Sequence, residues 1–331
     1  MDLKPKTLAV ALGIAIPVIV IMAGLRINPI QVVVNGLQIG SVYALVALGI
    51  ALVYKSTKVL NFAQGELGSF PAMLVLLALL SFDRNAEIGA EVSKGALVGY
   101  TLAAMAVGAI LAILINVAVV QRLKDASPVT SLVATAGVML FFLASQLLLL
   151  DANAKRFPRF VDGSFSLFGV PVQWQMIVVL LVIAGVSFAL SVFFRTPVGV
   201  GLLATSQEPF AAELHGISTR TMSTVAWGAA GAFAALGGVL GAGEFQQYFP
   251  GFMTATFLVP AFTGAVLGGI TSIGGAVSGS LLLGVAAVFA NEMVVKANLT
   301  SQVPGPPVIM TFVILLAVLF VRPRGLFGKE A

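Results

Sequence analysis

Apolar runs alternate with short polar breaks along almost the whole chain. They fall at roughly 7–25, 31–54, 67–82, 96–120, 131–150, 174–194, 222–243, 254–270, 274–295 and 307–321. A helix crossing a hydrocarbon layer about 30 Å thick needs about 20 such residues. No run shows the ten-residue alternation of a membrane β-strand. Lipid offers no hydrogen bonds, so backbone groups must be satisfied within each segment, and continuous runs of this length select helices. The pattern predicts an all-α, polytopic membrane protein with about ten transmembrane helices, organised as a single transmembrane domain over 1–331.

Composition narrows the class. Hydrophobic residues make up 59% of the chain and charged residues 9%, against about 25% charged in soluble domains. That is too little charge to cover a soluble surface, so the partner of this surface is the lipid bilayer. The chain has no cysteine and one histidine, His215. Disulfides, thiol nucleophiles and thiolate metal sites are excluded, and no metal site is expected. The net charge is +5, but the basic residues are scattered singly between apolar runs and form no stripe for nucleic acid. Lys4 and Lys6 precede the first run as in a signal peptide. That run is long for a signal core and no small-residue cleavage site follows, which favours a retained anchor.

Charge also orients the chain. With ten spans and both termini cytoplasmic, Lys4, Lys6, Lys55, Lys58, Arg122, Lys124, Arg195, Arg220, Arg322, Arg324 and Lys329 fall inside. Arg26, Arg84, Lys94, Lys155, Arg156, Arg159 and Lys296 fall outside, a moderate inside excess. The outer segment 151–173 departs from the bias and is long enough to fold as a small cap.

Thirty-five glycines suit close helix packing in lipid. Small-xxx-small pairs recur at Gly36/Gly40, Gly95/Gly99, Gly237/Gly241, Gly264/Gly268 and Gly275/Gly279. They point to the second span and to spans seven to nine as pore-lining or subunit-contact helices.

Polar residues within apolar spans need a reason, because a charge at mid-bilayer costs at least about 2.5–3.5 kcal/mol. Asn35, Gln38 and Ser41 in the second span either join helices by hydrogen bonds or line a path for a polar solute. The stretch Asn61-Phe62-Ala63-Gln64-Gly65-Glu66 is either a solvated turn or the lower part of that path. Glu244, Gln246 and Gln247 read as an external loop. No acidic or basic residue falls at the centre of a span, which disfavours a proton- or sodium-driven carrier working alone. The chain also lacks a phosphate-binding G-x-x-x-x-G-K-[ST] loop, and no catalytic constellation is present. Work must enter from outside the chain.

An entry point is visible in the cytoplasmic loop 195–223. Thr205 or Ser206 can cap a short helix, Pro209 suits its first turn and Gly216 its stop. Phe210 and Leu214, four apart, make an apolar ridge that either docks on a soluble partner or rests on lipid.

These pieces resemble the permeases of branched-chain amino acid ABC importers, the LivH type. The resemblance runs from about residue 31 to the C-terminus. It is carried by Asn35-Gly36-Leu37 through Ser41-Val42-Tyr43-Ala44-Leu45 and by Val59-Leu60-Asn61-Phe62-Ala63-Gln64-Gly65-Glu66. Further pieces are Arg195-Thr196-Pro197-Val198-Gly199 with Ala204 to Pro209, the glycine-rich stretch Ala265 to Ala276, and Val321-Arg322-Pro323-Arg324-Gly325-Leu326-Phe327-Gly328. The resemblance implies a bacterial inner-membrane permease that is not an enzyme. Its implied partners are a sister permease of the LivM type, two ATP-binding subunits and an extracytoplasmic solute-binding protein. No cofactor is expected in this chain, since ATP and Mg would sit on the partner ATPases. Permeases of this kind meet the ATPase through an E-A-A-x-x-x-G helix. Phe210-Ala211-Ala212 and Gly216 fit it with Phe210 in place of the acid, so Glu208, Phe210, Ala211, Ala212, Leu214 and Gly216 are the coupling candidates. Asn35, Gln38, Ser41, Asn61, Gln64 and Glu66 are the path candidates. Branched-chain amino acids are the default solute, with urea, short amides and small carboxylates as alternatives. The alternative of another class is a stand-alone secondary transporter or channel.

Overall fold

The structure is a computed structural model describing residues 20–81, 92–123 and 126–327. Most of the first apolar run lies outside the described residues, and so does the question of its retention; Lys4, Lys6, Arg84, Lys124 and Lys329 lie outside them too.

Local chemistry sets the helix starts. Helix α1, Pro29–Thr57, opens with proline in its first turn, and Asn28 Oδ1 accepts from the Ile30 amide at 3.0 Å. Its 29 residues give a rod about 43 Å long at 1.5 Å per residue. It stops at Lys58, which takes a left-handed conformation. Helix α2 spans Gln64–Leu79 and α3 spans Lys94–Ala118, continued by a 3₁₀ turn at Val120–Leu123. Helix α4, Pro128–Leu149, is capped by Ser127, and α5 spans Trp174–Phe193. Between them β2 (Ser164–Leu167) and β3 (Val170–Gln173) form an antiparallel hairpin, while β1 (Lys155–Arg156) pairs with β4 (Gln247–Tyr248). The expected small outer cap is this pair of two-stranded ladders.

Helix α6, Pro197–Gln207, is capped by Thr196, and α7 spans Pro209–Leu214. Helix α8, Thr219–Phe245, is capped by Ser218. A π-helical turn, Thr254–Leu258, leads into α9, Val259–Gly268. Helices α10, Ile273–Lys296, and α11, Pro306–Val321, complete the order.

Helices α1 and α8 are buried along most of their lengths, while α4, α5 and α11 form the rim. The rim exposes Phe141, Leu148, Leu181, Phe188 and Phe320. Such an apolar exterior is stable only against hydrocarbon. Six helices among the described residues are long and apolar enough to cross a membrane: α1, α3 with its 3₁₀ extension, α4, α5, α8 and α10. Three expected spans are shorter helices, α2, Thr254–Gly268 and α11. For the first two the reason is that the chain turns inward before the helix begins. At 16 residues, α2 covers about 24 Å.

The glycine seams are where the helices touch. A Cβ on Gly36 would lie 2.4 Å from Val285 Cα, and one on Gly284 would lie 2.3 Å from Gly36 O, so α1 and α10 meet backbone to backbone. The same holds for α9 against α10 at Gly268 and Gly275, α3 against α8 at Gly108 and Gly231, and α2 against α8 at Gly68 and Gly238. Gly237 and Gly241 instead admit the Leu45 and Val42 side chains of α1. Gly95/Gly99 departs from the expectation: nothing lies within 4 Å of a Cβ at Gly99.

Helix directions define two ends. One holds α6, α7 and the 322–327 segment, whose Leu326 and Phe327 amides bond the carbonyls of Leu267 and Gly268. The other holds the hairpin and the end of α8.

Candidate translocation site

The chain enters the bundle twice from opposite ends. After α1 it turns at 58–63 and starts α2 well inside. Gly49, two turns before the end of α1, makes room: a Cβ there would collide with Gln64 Nε2. Gln64 Nε2 donates to Ala230 O of α8 at 3.1 Å, and Asn61 Nδ2 donates to Gln64 Oε1 at 3.2 Å. Asn61 Oδ1 accepts from the Ala63 amide at 3.0 Å. The solvated-turn alternative is therefore overturned: Asn61, Gln64 and Glu66 are all buried.

After α8 the chain dips inward again. Tyr248, Phe252 and Met253 are fully buried. The first turns of α2 and of the helix beginning at Phe252 touch, since a Cβ on Gly65 would lie 2.2 Å from Thr254 Oγ1. Two helix N-termini thus meet inside the protein, the arrangement that discontinuous helices use to place positive dipole ends at depth.

Glu66 sits in that first turn. Its Oε2 accepts from Gln146 Nε2 of α4, and Gln146 Oε1 accepts from the Gly251 amide at 3.2 Å. The Tyr248 hydroxyl lies beside both Gln146 Oε1 and Ser69 O, 2.9 Å from the latter, and donates its one proton to either. This network ties α2, α4 and the 246–253 turn together. Each partner lost from such a buried group costs about 1–3 kcal/mol, more for a charged one.

A second polar cluster lies at the hairpin end. Glu244 was expected in an external loop, but it belongs to the last turn of α8 and is 1% exposed. Gln38 Nε2 donates to Glu244 Oε1 at 2.7 Å, and Arg159 Nη2 donates to Glu244 O at 3.3 Å. Gln31, Asn35 and Gln38, spaced by four and three residues, share one face of α1; Gln31 is exposed and the other two are half-buried. Ser41 is wholly buried and its hydroxyl bonds Gln38 O at 2.7 Å. The six path candidates therefore fall into two groups, Asn35, Gln38 and Ser41 toward the hairpin end, and Asn61, Gln64 and Glu66 at the inward start of α2. Among the described residues no hydrogen bond joins the two groups.

Gln146, Arg159, Gln175 and Tyr248 were missed as site residues. Gln146 had a readable signal, an amide near the end of an otherwise apolar run. Arg159, Gln175 and Tyr248 carry none, because their placement depends on the hairpin and the inward turn.

At the other end, the coupling candidates lie on α7. Phe210 and Leu214 are 76% and 73% exposed, Glu208, Ala211 and Gly216 are exposed, and Ala212 is buried. Gly216 has φ +78, and the Ile217 amide reaches Ala212 O at 3.0 Å, a left-handed helix stop. The expected start differs. Thr205 and Ser206 lie within α6, where their hydroxyls bond back to Leu202 O and Leu203 O. Helix α7 starts instead at Pro209, with Glu208 before it providing no side-chain cap. Beside α7 an open cavity of about 820 Å³ is lined by Tyr54, Lys58, Gln121, Glu213 and Arg220 among others.

Compared with known proteins, residues 32–321 match the family described as branched-chain amino acid transport system / permease component. The chain is 30% identical over 318 residues to the high-affinity branched-chain amino acid transport system permease protein BraD of Pseudomonas aeruginosa, which covers 91% of this chain and 96% of that one. It is 28% identical over 312 residues to the corresponding permease protein LivH of Escherichia coli, with the same coverage. Identity to the probable branched-chain amino acid transport permease protein LivH of Methanocaldococcus jannaschii is 26% over 297 residues, 86% of this chain and 88% of that one.

Proposed function

The chain belongs to the family of branched-chain amino acid transport system permease components, and from that premise we propose how it works as the membrane subunit of an ATP-driven importer. It is a non-catalytic, multi-pass transport permease whose ATPase and binding protein are separate subunits. The solute is a branched-chain or related amino acid.

The observation that carries the working arrangement is the ridge on α7. Two large apolar side chains stand almost fully exposed on a short, firmly stopped helix at the end opposite the hairpin. In water such a ridge is stabilised by docking into a groove on a partner. We assign it to an ATP-binding subunit, with ATP and Mg held there. Glu208, Phe210, Ala211, Ala212, Leu214 and Gly216 are the contact set. Two such subunits then serve this chain and a sister permease of the LivM type, and the solute-binding protein docks at the hairpin end. The basic residues Lys58, Arg122, Arg195, Arg220 and Arg322 cluster at the α7 end, which supports a cytoplasmic face there. Ten spans with both termini on that face, in a bacterial inner membrane, complete the arrangement. Asn35, Gln38, Ser41, Asn61, Gln64 and Glu66 border the route or its gate.

The test is reconstitution of the full importer in liposomes. Leucine, isoleucine or valine delivered by the binding protein should stimulate ATP hydrolysis, while urea and short amides should not. Stimulation by urea alone would overturn the solute class, and uptake without ATP would establish a stand-alone carrier. In this cysteine-free chain, Ser93→Cys should react from outside and Ser206→Cys only from inside; the reverse would invert the orientation.

A further inference from the structure

The open cavity of about 820 Å³ at the α7 end has room for a small solute. Four parts of the fold wall it. They are the end of α1 with the 58–60 turn, the 3₁₀ turn with the start of α4, the end of α6 with α7, and the start of α8. Its position continues the first inward turn. Leu60 lines it, the Leu60 carbonyl accepts from the Thr135 hydroxyl at 3.3 Å, and the next residue, Asn61, is the buried partner of Gln64. The cavity therefore adjoins the Asn61–Gln64 end of the proposed route, on the face assigned to the cytoplasm.

Three charged side chains line this space, and they stay apart. Glu213 of α7 accepts from the Thr219 hydroxyl through Oε1 at 2.5 Å, which leaves Oε2 for another donor. Lys58 follows α1 in a left-handed turn, and its ammonium lies 5.9 Å from the centre of the Tyr54 ring. Arg220 sits in the first turn of α8, where Gln121 Nε2 of the 3₁₀ turn donates to its carbonyl at 3.3 Å. Among the described residues, neither cation forms an ion pair with Glu213 or with any other carboxylate. Half-buried Val59, Leu60 and Leu132 supply an apolar wall beside them.

Opposite charges that border one space without closing on each other leave a gap for a ligand carrying both signs. A phosphate-bearing ligand would use Lys58 and Arg220 but set its charge against Glu213. A simple amine would use Glu213 and face the two cations. A free amino acid answers all three. We propose that this cavity is a cytoplasmic-side site for a free branched-chain amino acid, with Lys58 and Arg220 taking its carboxylate, Glu213 its ammonium, and Val59, Leu60 and Leu132 its side chain. The inference rests on the amino-acid reading above and adds regulation to it. A ligand held at once by α7, the end of α1 and the start of α8 favours the arrangement in which the three are close. It ties the docking helix to the bundle, so solute accumulating inside slows further import.

The test uses the complete importer in proteoliposomes, with ATP in the lumen and labelled leucine on its binding protein outside. It reads the initial uptake rate as the lumen is preloaded with unlabelled leucine. Lumenal leucine should slow uptake, whereas isoamylamine and 4-methylpentanoate, each lacking one of the two charges, should not. Glu213→Gln and Arg220→Ala should each raise the inhibiting concentration by about tenfold or more, the loss of one charged contact, and leave uptake into empty vesicles unchanged. Glu213→Gln keeps an acceptor for Thr219, so α7 stays tied to α8. A second measurement needs no transport. Thr57→Cys places a thiol on the cavity wall, and leucine should slow its labelling in the solubilised importer while the amine and the acid should not. Uptake indifferent to lumenal leucine, inhibition that both variants retain in full, or labelling that leucine does not slow overturns the site. If the unaltered importer takes up no leucine into empty vesicles, the solute reading fails instead, and labelling of Thr57→Cys still decides the cavity.

Discussion

Gln146→Leu is the most informative single perturbation of the mid-bundle network. The two side chains are similar in size, so the change removes hydrogen bonds rather than volume. Gln146 Nε2 donates to Glu66 Oε2 and lies 3.3 Å from Phe142 O, and its Oε1 accepts from the Gly251 amide and stands beside the Tyr248 hydroxyl. Phe142 O belongs to the helix ladder already, and Tyr248 retains Ser69 O at 2.9 Å. Two groups lose a partner, the Glu66 carboxyl and the Gly251 amide. At about 1–3 kcal/mol for each, and more for the carboxylate, the expected loss is about 3–6 kcal/mol. Replacing both partners is milder than removing one, because no charge is stranded. Glu66→Leu with Gln146→Leu should therefore leave only the Gly251 amide unpaired and lose about 1–3 kcal/mol. Thermal midpoints of the detergent-solubilised chain, followed by fluorescence-detected gel filtration, measure all members of the cycle. The reasoning fails if Gln146→Leu melts with the wild type, or if the double variant loses the sum of the two single losses.

The other expectations concern packing, coupling and charge. Gly284→Ala brings a methyl to within 2.3 Å of Gly36 O, so the α1–α10 seam must open, at a cost of about 1–3 kcal/mol in the same melting assay. Gly99→Ala, with nothing within 4 Å, should instead gain about 0.5–1 kcal/mol from helix propensity. Phe210→Asp with Gly216→Val should leave insertion intact but abolish hydrolysis stimulated by loaded binding protein, the valine being strained at φ +78; unchanged ATPase binding and stimulation would move the coupling site to 121–130. Asp162, hydrogen-bonded to Lys94 at 2.8 Å, has its carboxyl held below the usual carboxylate range by that bond. A lowered carboxylate value means stability present above about pH 4 and lost as pH falls below it. Being an exposed ion pair, it is worth at most about 1 kcal/mol, so wild type and Asp162→Asn should differ slightly at pH 7, and the difference should shrink as the pH is lowered through the acid range.

Helix positions were readable because lipid imposes one strong rule, that apolar length means a span. Ser127, Thr196, Ser218 and Ser272 cap helices as their residue types suggest. Gly216 stops α7 as its lack of a Cβ suggests. The same rule misleads where the chain turns back inside. Apolar content continues through Met253 and Phe257 whether a helix crosses the bilayer or starts midway, so hydropathy is blind to the two inward turns. Glu244 escaped for a related reason. It sits beside Gln246 and Gln247, and a carboxylate beside glutamines reads as solvated until the fold places Gln38 against it. Glycine pairs were legible only in part: the spacing of Gly95/Gly99 matches that of Gly36/Gly40, but only contact with a neighbouring helix distinguishes a seam from a bare lipid-facing stripe.

Helix α8 has a mechanical consequence. It starts four residues after α7 and runs 27 residues to the cluster at Glu244, about 40 Å as a helix. A helix is stiff along its axis, so it behaves as a pushrod. Its bearings are of two kinds: Gly231 and Gly238 rest on the bare backbones of Gly108 and Gly68, while Gly237 and Gly241 take the Leu45 and Val42 side chains of α1 as teeth. A stroke delivered at the α7 end would therefore carry α1 along with the rod, and the Gln38–Glu244 bond with it. One end of this single helix adjoins the ridge on α7, and the other holds the carboxylate bonded to Gln38.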